Sequence, residues 1–165
     1  MVSIYKDQRV GIFVDVQNMY YSARNVYSNK VDFESLLNKA QQNRKVTRAI
    51  AYAIESETPD EKNFFETLES IGFEVKKKRL KEYYGGAKKG DWDMGIAIDA
   101  LKIADKLDVV VLVTGDGDFT HLVYHLQAEG VRVEVMAFEE SASKELKEAA
   151  NNFIDMSENP DAFLM

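Results

Sequence analysis

The sequence predicts an α/β fold, a mainly parallel sheet wrapped by helices on both faces. Two observations carry this. Short β-branched and aromatic runs alternate along the chain with amphipathic helical patterns, and parallel neighbours require such crossover connections. The chain also has 165 residues with 45% hydrophobic content, enough to bury a real core and expected to form one domain over residues 1–165.

The elements follow in order. "RVGIFVDV", residues 9–16, is a short apolar run expected to be a buried strand ending near Asp15. "QNMYYSARNVYS" and "VDFESLLNKAQQN" read as helices, the second with Phe33, Leu36 and Leu37 at helical spacing and Asp32 as its cap. "VTRAIAYAIE" is a second strand. A helix over "TPDEKNFFETLESIG" is predicted to start with Thr58 as cap and Pro59 in its first turn, and to stop at Gly72. "FEVKKKRL" alternates as a lysine-guarded edge strand. "YYGGAKKG" is glycine-rich and reads as a mobile connection. The helix "DWDMGIAIDALKIADKL" has apolar residues around much of its circumference, which predicts extensive burial. "DVVVLVTG" is the central strand and "GDFTHLVYHLQAEG" its helix; "VRVEVMAF", "SASKELKEAA" and "NFIDM" add a strand, a helix and a short final strand.

Composition narrows the chemistry. Cysteine is absent, which excludes disulfides, thiolate nucleophiles and cysteine-held metals. The N-terminal stretch is charged and lacks a long apolar run, so neither a signal peptide nor a membrane span is expected, and a cytosolic setting is. The net charge of −7 opposes loose binding to polyanions, yet residues 76–90 hold seven basic residues and one acid. Tyr83 and Tyr84 interrupt these lysines, and aromatic planes beside cations suit single-stranded nucleic acid. Lys76, Lys77, Lys78, Arg79, Lys88 and Lys89 are therefore expected to guide a polynucleotide backbone. A solvated edge strand is the plainer reading of the same residues.

In open parallel sheets, ligands sit outside the carboxyl ends of the strands where the strand order reverses. Asp15 ends the first strand, while Asp116 and Asp118 follow the fourth; if those strands are neighbours, three carboxylates share one crevice. Asn18 and Asp93 could close the ring. Two unit charges about 5 Å apart repel by roughly 3 kcal/mol at an effective dielectric near 20, so such a ring calls for a cation. Oxygen-only ligands suit Mg²⁺ or Mn²⁺, and phosphodiester hydrolysis is the chemistry these ions serve. Each aspartate could instead be a simple helix cap or turn former. His121 and His125 share a helix face, but no glutamate motif accompanies them to suggest zinc.

"IFVDVQNMYYSAR", "KKGDWDMGIAIDAL" and "VVLVTGDGDFTHLVYHLQAEGVRVEVMAF" resemble, in order, the three signature blocks of the NYN domain in its LabA-like branch, part of the PIN-like ribonuclease superfamily. The resemblance covers about residues 9–155. It implies a single PIN-like domain, a three-layer α/β/α sandwich with Rossmann-like topology, and a metal-dependent endoribonuclease site using Mg²⁺ or Mn²⁺. It gives Asp15, Asp93, Asp116 and Asp118 the role of metal ligands, Asn18 that of ligand or water-orienting partner, and Thr114 a hydroxyl position beside the substrate. "KGDWDM" leaves Asp91 and Asp93 as alternatives for the position facing the metal. Asp99, about 240° around the helix from Asp93, suits an ion pair or a supporting role. The implied substrate is RNA; the basic flap with Tyr83 and Tyr84 points to a single strand, and the acidity outside it to a guiding protein, with a second copy of the chain as a further expected partner. The competing expectation is a catalytically silent domain that keeps the acidic pocket to bind nucleic acid, nucleotide or a protein. A dinucleotide-binding module is disfavoured, since no GxGxxG turn follows the first strand.

Overall fold

The computed structural model describes residues 6–79, 81–82, 88–89 and 91–165, with the backbone alone at 81–82 and 88–89. The chain starts in the middle of its sheet. Strand β1 (Arg9–Asp15) is buried from its second residue onward because Val10, Ile12 and Val14 alternate with Phe13 between two apolar faces. Helices α1 (Val16–Tyr27) and α2 (Phe33–Gln41) return the chain to β2 (Lys45–Glu55), and α3 (Glu61–Ile71) leads to β3 (Glu74–Arg79) at the edge. Two-residue strands β4 (Lys81–Glu82) and β5 (Lys88–Lys89) form a small antiparallel pair in the segment expected to be a mobile connection. Helix α4 (Asp93–Ile103) then crosses to β6 (Val109–Val113). Helix α5 (Thr120–Ala128), β7 (Arg132–Ala137), α6 (Lys144–Ala149) and β8 (Asn152–Asp155) complete the other half.

The six-stranded sheet has the order β3-β2-β1-β6-β7-β8, and every pairing in it is parallel. Each face has its own core. Val109, Val111 and Val113 pack with residues of α1, α2 and α3, whereas Val110 and Leu112 pack with residues of α4, α5 and α6. The result is the three-layer α/β/α sandwich with Rossmann-like order that the sequence predicts. At the amino edge of the sheet, the buried Arg44 guanidinium meets Glu134 at 2.8 Å, so a charge in the core is neutralised in place. No helix among the described residues is long and apolar enough to cross a membrane.

Two local expectations need correction. Helix α3 begins at Glu61, three residues past Thr58, because the Glu61 carboxylate accepts hydrogen bonds from the Ser56 amide (2.6 Å), the Ser56 hydroxyl (2.8 Å) and the Glu57 amide (3.1 Å). That arrangement holds residues 56–58 outside the helix, with Glu57 at φ 60°. Helix α4 is also far less covered than its composition suggests: Ile96 and Ala100 are buried, yet Met94, Ile98 and Leu101 are 75%, 49% and 42% exposed. It packs along one narrow stripe that cannot take in every apolar position. By contrast, Asp32 caps α2 by accepting from the Glu34 and Ser35 amides, and Gly72 ends α3 at φ 128°, a backbone angle that favours glycine.

Candidate metal centre

The order of strands reverses between β1 and β6, and the acids lie at that point. Val14 sits opposite Val113, so Asp15 and Thr114 leave the sheet side by side. Asp15 is buried and caps α1 by accepting from the Asn18 amide at 3.2 Å. Thr114 donates its hydroxyl to Asp15 at 3.3 Å, and the same oxygen accepts from the Asp116 amide at 3.2 Å. The Asn18 side-chain oxygen accepts from the Gly115 amide at 2.9 Å, which fastens the start of α1 to the loop after β6. Asp116 accepts from the Asp118 amide at 2.9 Å and so opens the 3₁₀ turn Gly117–Phe119. Capping does not use up these carboxylates, because each carboxylate oxygen can accept more than one hydrogen bond or ligand.

Gly115 is required where it stands. A Cβ there would come within 2.7 Å of the Ser141 carbonyl oxygen and 2.9 Å of the Ala142 Cα, both backbone atoms. The loop bearing Asp116 therefore presses directly against the turn before α6.

Asp93 reaches the site from the first turn of α4. Trp92 anchors that turn: its indole N–H donates to the Ala53 carbonyl at 2.8 Å, and its ring lies 5.3 Å from that of Tyr52. The absent side chain of Gly95 makes room, since a Cβ there would meet the indole at 2.5 Å. Asp91 accepts from the Asp93 amide at 3.1 Å, which fixes the entry into the helix. Farther along, Asp99 accepts from the Tyr52 hydroxyl at 2.8 Å and from Lys76 at 2.7 Å. Burial would push the Asp99 carboxyl up, but these two hydrogen bonds prevail and hold it below the usual carboxylate range.

Among the described residues, Asp93, Asp116 and Asp118 bring carboxylate oxygens within 4.8 Å of one another. Oxygens on opposite sides of a magnesium ion lie about 4.2 Å apart, so small side-chain rotations would let all three hold one ion. Asp15, Asn18 and Asp91 line a cleft of about 280 Å³ together with Asp93 and Asp116. Burial pushes the Asp93 carboxyl up to about 7, and the Asp116, Asp91 and Asp15 carboxylates reinforce the shift. Asp15 is raised to about 6, chiefly by burial, against the hydrogen bonds from Asn18 and Thr114 that pull it down. The donor set is hard, all-oxygen and short of positive charge. That combination fits a divalent cation of the magnesium class.

The other residues singled out in the sequence are placed as follows. Thr114 is only 2% exposed, with its hydroxyl engaged on both sides, so it braces Asp15 and Asp116. Asp99 stands in an ion pair apart from the three clustered acids. Lys76, Lys77, Lys78 and Arg79 lie along β3: Lys77 faces Glu55 at 3.8 Å, Arg79 faces Glu57 at 3.2 Å and Lys78 lies 4.8 Å from the centre of the Trp92 ring. Tyr83 and Tyr84 are outside the described residues, and Lys88 and Lys89 are described by backbone alone. His121 and His125 do not join the acid group, and His125 pairs with Glu129 at 3.6 Å.

Several cleft residues escaped the sequence reading. Tyr21, Ser22 and Asn25 follow the expected Asn18 at i+3, i+4 and i+7, and they line the same cleft. This polar stripe on α1 was readable from spacing alone. Ser141 was not, because it arrives from beyond β7 through the close approach at Gly115.

Comparison with known proteins agrees with this fold. The LabA protein of Synechococcus elongatus, described as a low amplitude and bright protein, is 24% identical over 172 residues, covering 93% of this chain and 87% of that one. A crystal structure of a protein of unknown function from Vibrio parahaemolyticus superposes with a TM-score of 0.88 at 38% identity, covering 97% of this chain and 98% of that one. The NYN domain model matches residues 9–158, and the chain belongs to the NYN domain family, within the PIN-like nuclease superfamily.

Proposed function

We propose that this protein is an endoribonuclease that hydrolyses phosphodiester bonds in single-stranded RNA with Mg²⁺ or Mn²⁺ bound by its acidic cleft. The convergence of Asp93, Asp116 and Asp118 from two separate elements at the reversal of strand order carries the reading. Membership of a nuclease-like family points the same way. Asp93, Asp116 and Asp118 would hold the ion, with Asp15 as the buried fourth carboxylate and Asn18 holding the β6 loop in register. A divalent ion held there would supply Lewis-acid activation of the attacking water and offset negative charge on the phosphate ester. The protein's own contribution is placement: the Thr114 and Asn18 hydrogen bonds set Asp15 and Asp116, and the Trp92 anchor sets Asp93. The absence of cysteine is consistent with a cytosolic setting.

The test is incubation of the pure protein with a labelled single-stranded RNA in Mg²⁺, Mn²⁺ or EDTA, beside Asp116→Asn and Asp15→Asn. Cleavage is expected only with the ions. Since even supporting residues of metal sites cost about 10- to 100-fold, Asp116→Asn should lower the rate by at least about 100-fold. Cleavage that persists in EDTA, or that either variant leaves unchanged, would place the activity elsewhere. Tight RNA binding without any cleavage would favour a silent binding domain.

A further inference from the structure

A second groove, of about 770 Å³, continues from the acidic cleft between α1 and α3 over the tips of β1 and β2. Gln17, Tyr21 and Asp91 line both, so the two form one continuous depression along the carboxyl edge of the sheet. Its acids, Asp60, Glu61 and Asp91, are not those of the clustered trio. Its α1 side presents the tyrosine rings of residues 20 and 21, which are 45% and 49% exposed, and beyond them stand Arg24 and Lys30.

The two rings sit edge to face, with centroids 5.4 Å apart and planes 78° apart. Their open faces therefore point in different directions. Arg24 donates to the Tyr20 hydroxyl at 3.3 Å, which steadies the ring and ties a cation to it. Across the groove Phe65 lies beneath the Lys77 ammonium, 5.1 Å from ring centre to nitrogen. Of the groove's acids, Glu61 is engaged by the Ser56 and Glu57 amides, Asp91 by the Asp93 amide, and Asp60 stands at the start of α3.

From this arrangement we infer that the groove seats the stretch of a single-stranded polynucleotide flanking the scissile phosphate, with Tyr20 and Tyr21 stacking on unpaired bases and Arg24 and Lys30 holding its phosphates. The inference rests on the nuclease reading for which phosphate is cut. An unpaired strand is favoured over a duplex because rings facing different ways can each meet a base only if the bases splay, and a duplex keeps its base faces stacked inside. Charge supports the same direction along α1: the cleft's acids accept the ion and the reacting phosphate, while Arg24 and Lys30 on the α1 wall meet the next phosphates, with Asp60 and Glu61 on the α3 wall. Tyr21, at the junction, would touch the base nearest the cut.

The experiment measures anisotropy of a fluorescein-labelled decauridylate in Mg²⁺, in the Asp116→Asn background so that the strand stays intact. Stacking lost by alanine substitution corresponds to about 5- to 100-fold weaker binding per base, so adding Tyr20→Ala and Tyr21→Ala should weaken affinity by at least that much. Adding Tyr20→Phe and Tyr21→Phe keeps the rings and should leave affinity within about twofold. Replacing Arg24 and Lys30 by Gln should flatten the salt dependence by about 1.4 in slope, from 0.7 per phosphate. Melting curves on each variant check folding, which exposed positions should preserve.

Equal affinity of the alanine variant, an equal loss with phenylalanine, equal binding of a duplex of the same length, or no binding at all would each overturn the inference. The two readings fail separately. Groove-dependent binding with no cleavage by the protein carrying Asp116 would remove the nuclease and keep the groove. Normal cleavage with unchanged KM in the tyrosine-to-alanine protein would do the reverse.

Discussion

Asp15 shows how one side chain can be both a structural cap and a buried ionisable group. It accepts the Asn18 amide and the Thr114 hydroxyl, yet burial keeps its carboxyl at about 6. An unfolded aspartate titrates near 3.9, so between those values the folded state binds more protons than the unfolded state. Stability from this group is therefore complete below about pH 4 and is lost as pH rises toward about 7, an effect on the order of 3 kcal/mol. Asp99, held below the usual range by Lys76 and Tyr52, acts in the opposite sense at lower pH, so wild type alone cannot isolate the trend. The comparison does. In EDTA, Asp15→Asn should gain on wild type in melting temperature as pH climbs from about 4 to about 7, by several degrees at the upper end. A constant difference across that range would show that Asp15 is not a buried charge. Adding Mn²⁺ near pH 7 should narrow the gap, since the ion stabilises only the protein that binds it well.

At the scale of elements, α4 is held at its beginning rather than along its length. Trp92 hydrogen-bonds the Ala53 carbonyl and lies against Tyr52, whereas Met94, Ile98 and Leu101 face outward. Trp92→Phe keeps an aromatic ring and removes the N–H, leaving the Ala53 carbonyl without that donor; the cost in stability should be about 1 kcal/mol. Its larger effect should be on Mn²⁺ affinity, lowered about 10-fold as for other residues that orient a ligand. Calorimetric titration checks this, and unchanged affinity would mean that Asp93 is placed by something else. Six of the strands were legible because apolar runs and helical periods alternate cleanly, and Asp32 and Gly72 marked ends of helices through their own chemistry. Burial of α4 was not legible: composition gives the number of apolar faces, and only packing says how many are covered. The start of α3 was misjudged because a glutamate inside the helix, Glu61, reaches back to Ser56 and Glu57 and holds them out of the helix.

For the whole molecule, the order β3-β2-β1-β6-β7-β8 turns distant stretches of sequence into one site. Asp15 and Asp116 are 101 positions apart in the numbering, yet they emerge beside each other because Val14 pairs with Val113. That much was legible, since ligand sites at the reversal of strand order follow from topology. The tight trio was less so: Asp15, though in the cleft, is drawn into the wall by Thr114, and only Asp93, Asp116 and Asp118 come within 4.8 Å of one another among the described residues. Tyr20 and Tyr21 drew no notice because their role depends on a groove whose other wall, α3, lies 40 residues farther along. The most direct measurement is a crystal soaked in Mn²⁺ and recorded for anomalous scattering. A peak bonded at about 2.0–2.2 Å to oxygens of Asp93, Asp116 and Asp118 is the predicted result. A well-ordered cleft with no peak at saturating Mn²⁺, or a peak bound only elsewhere, would contradict the account.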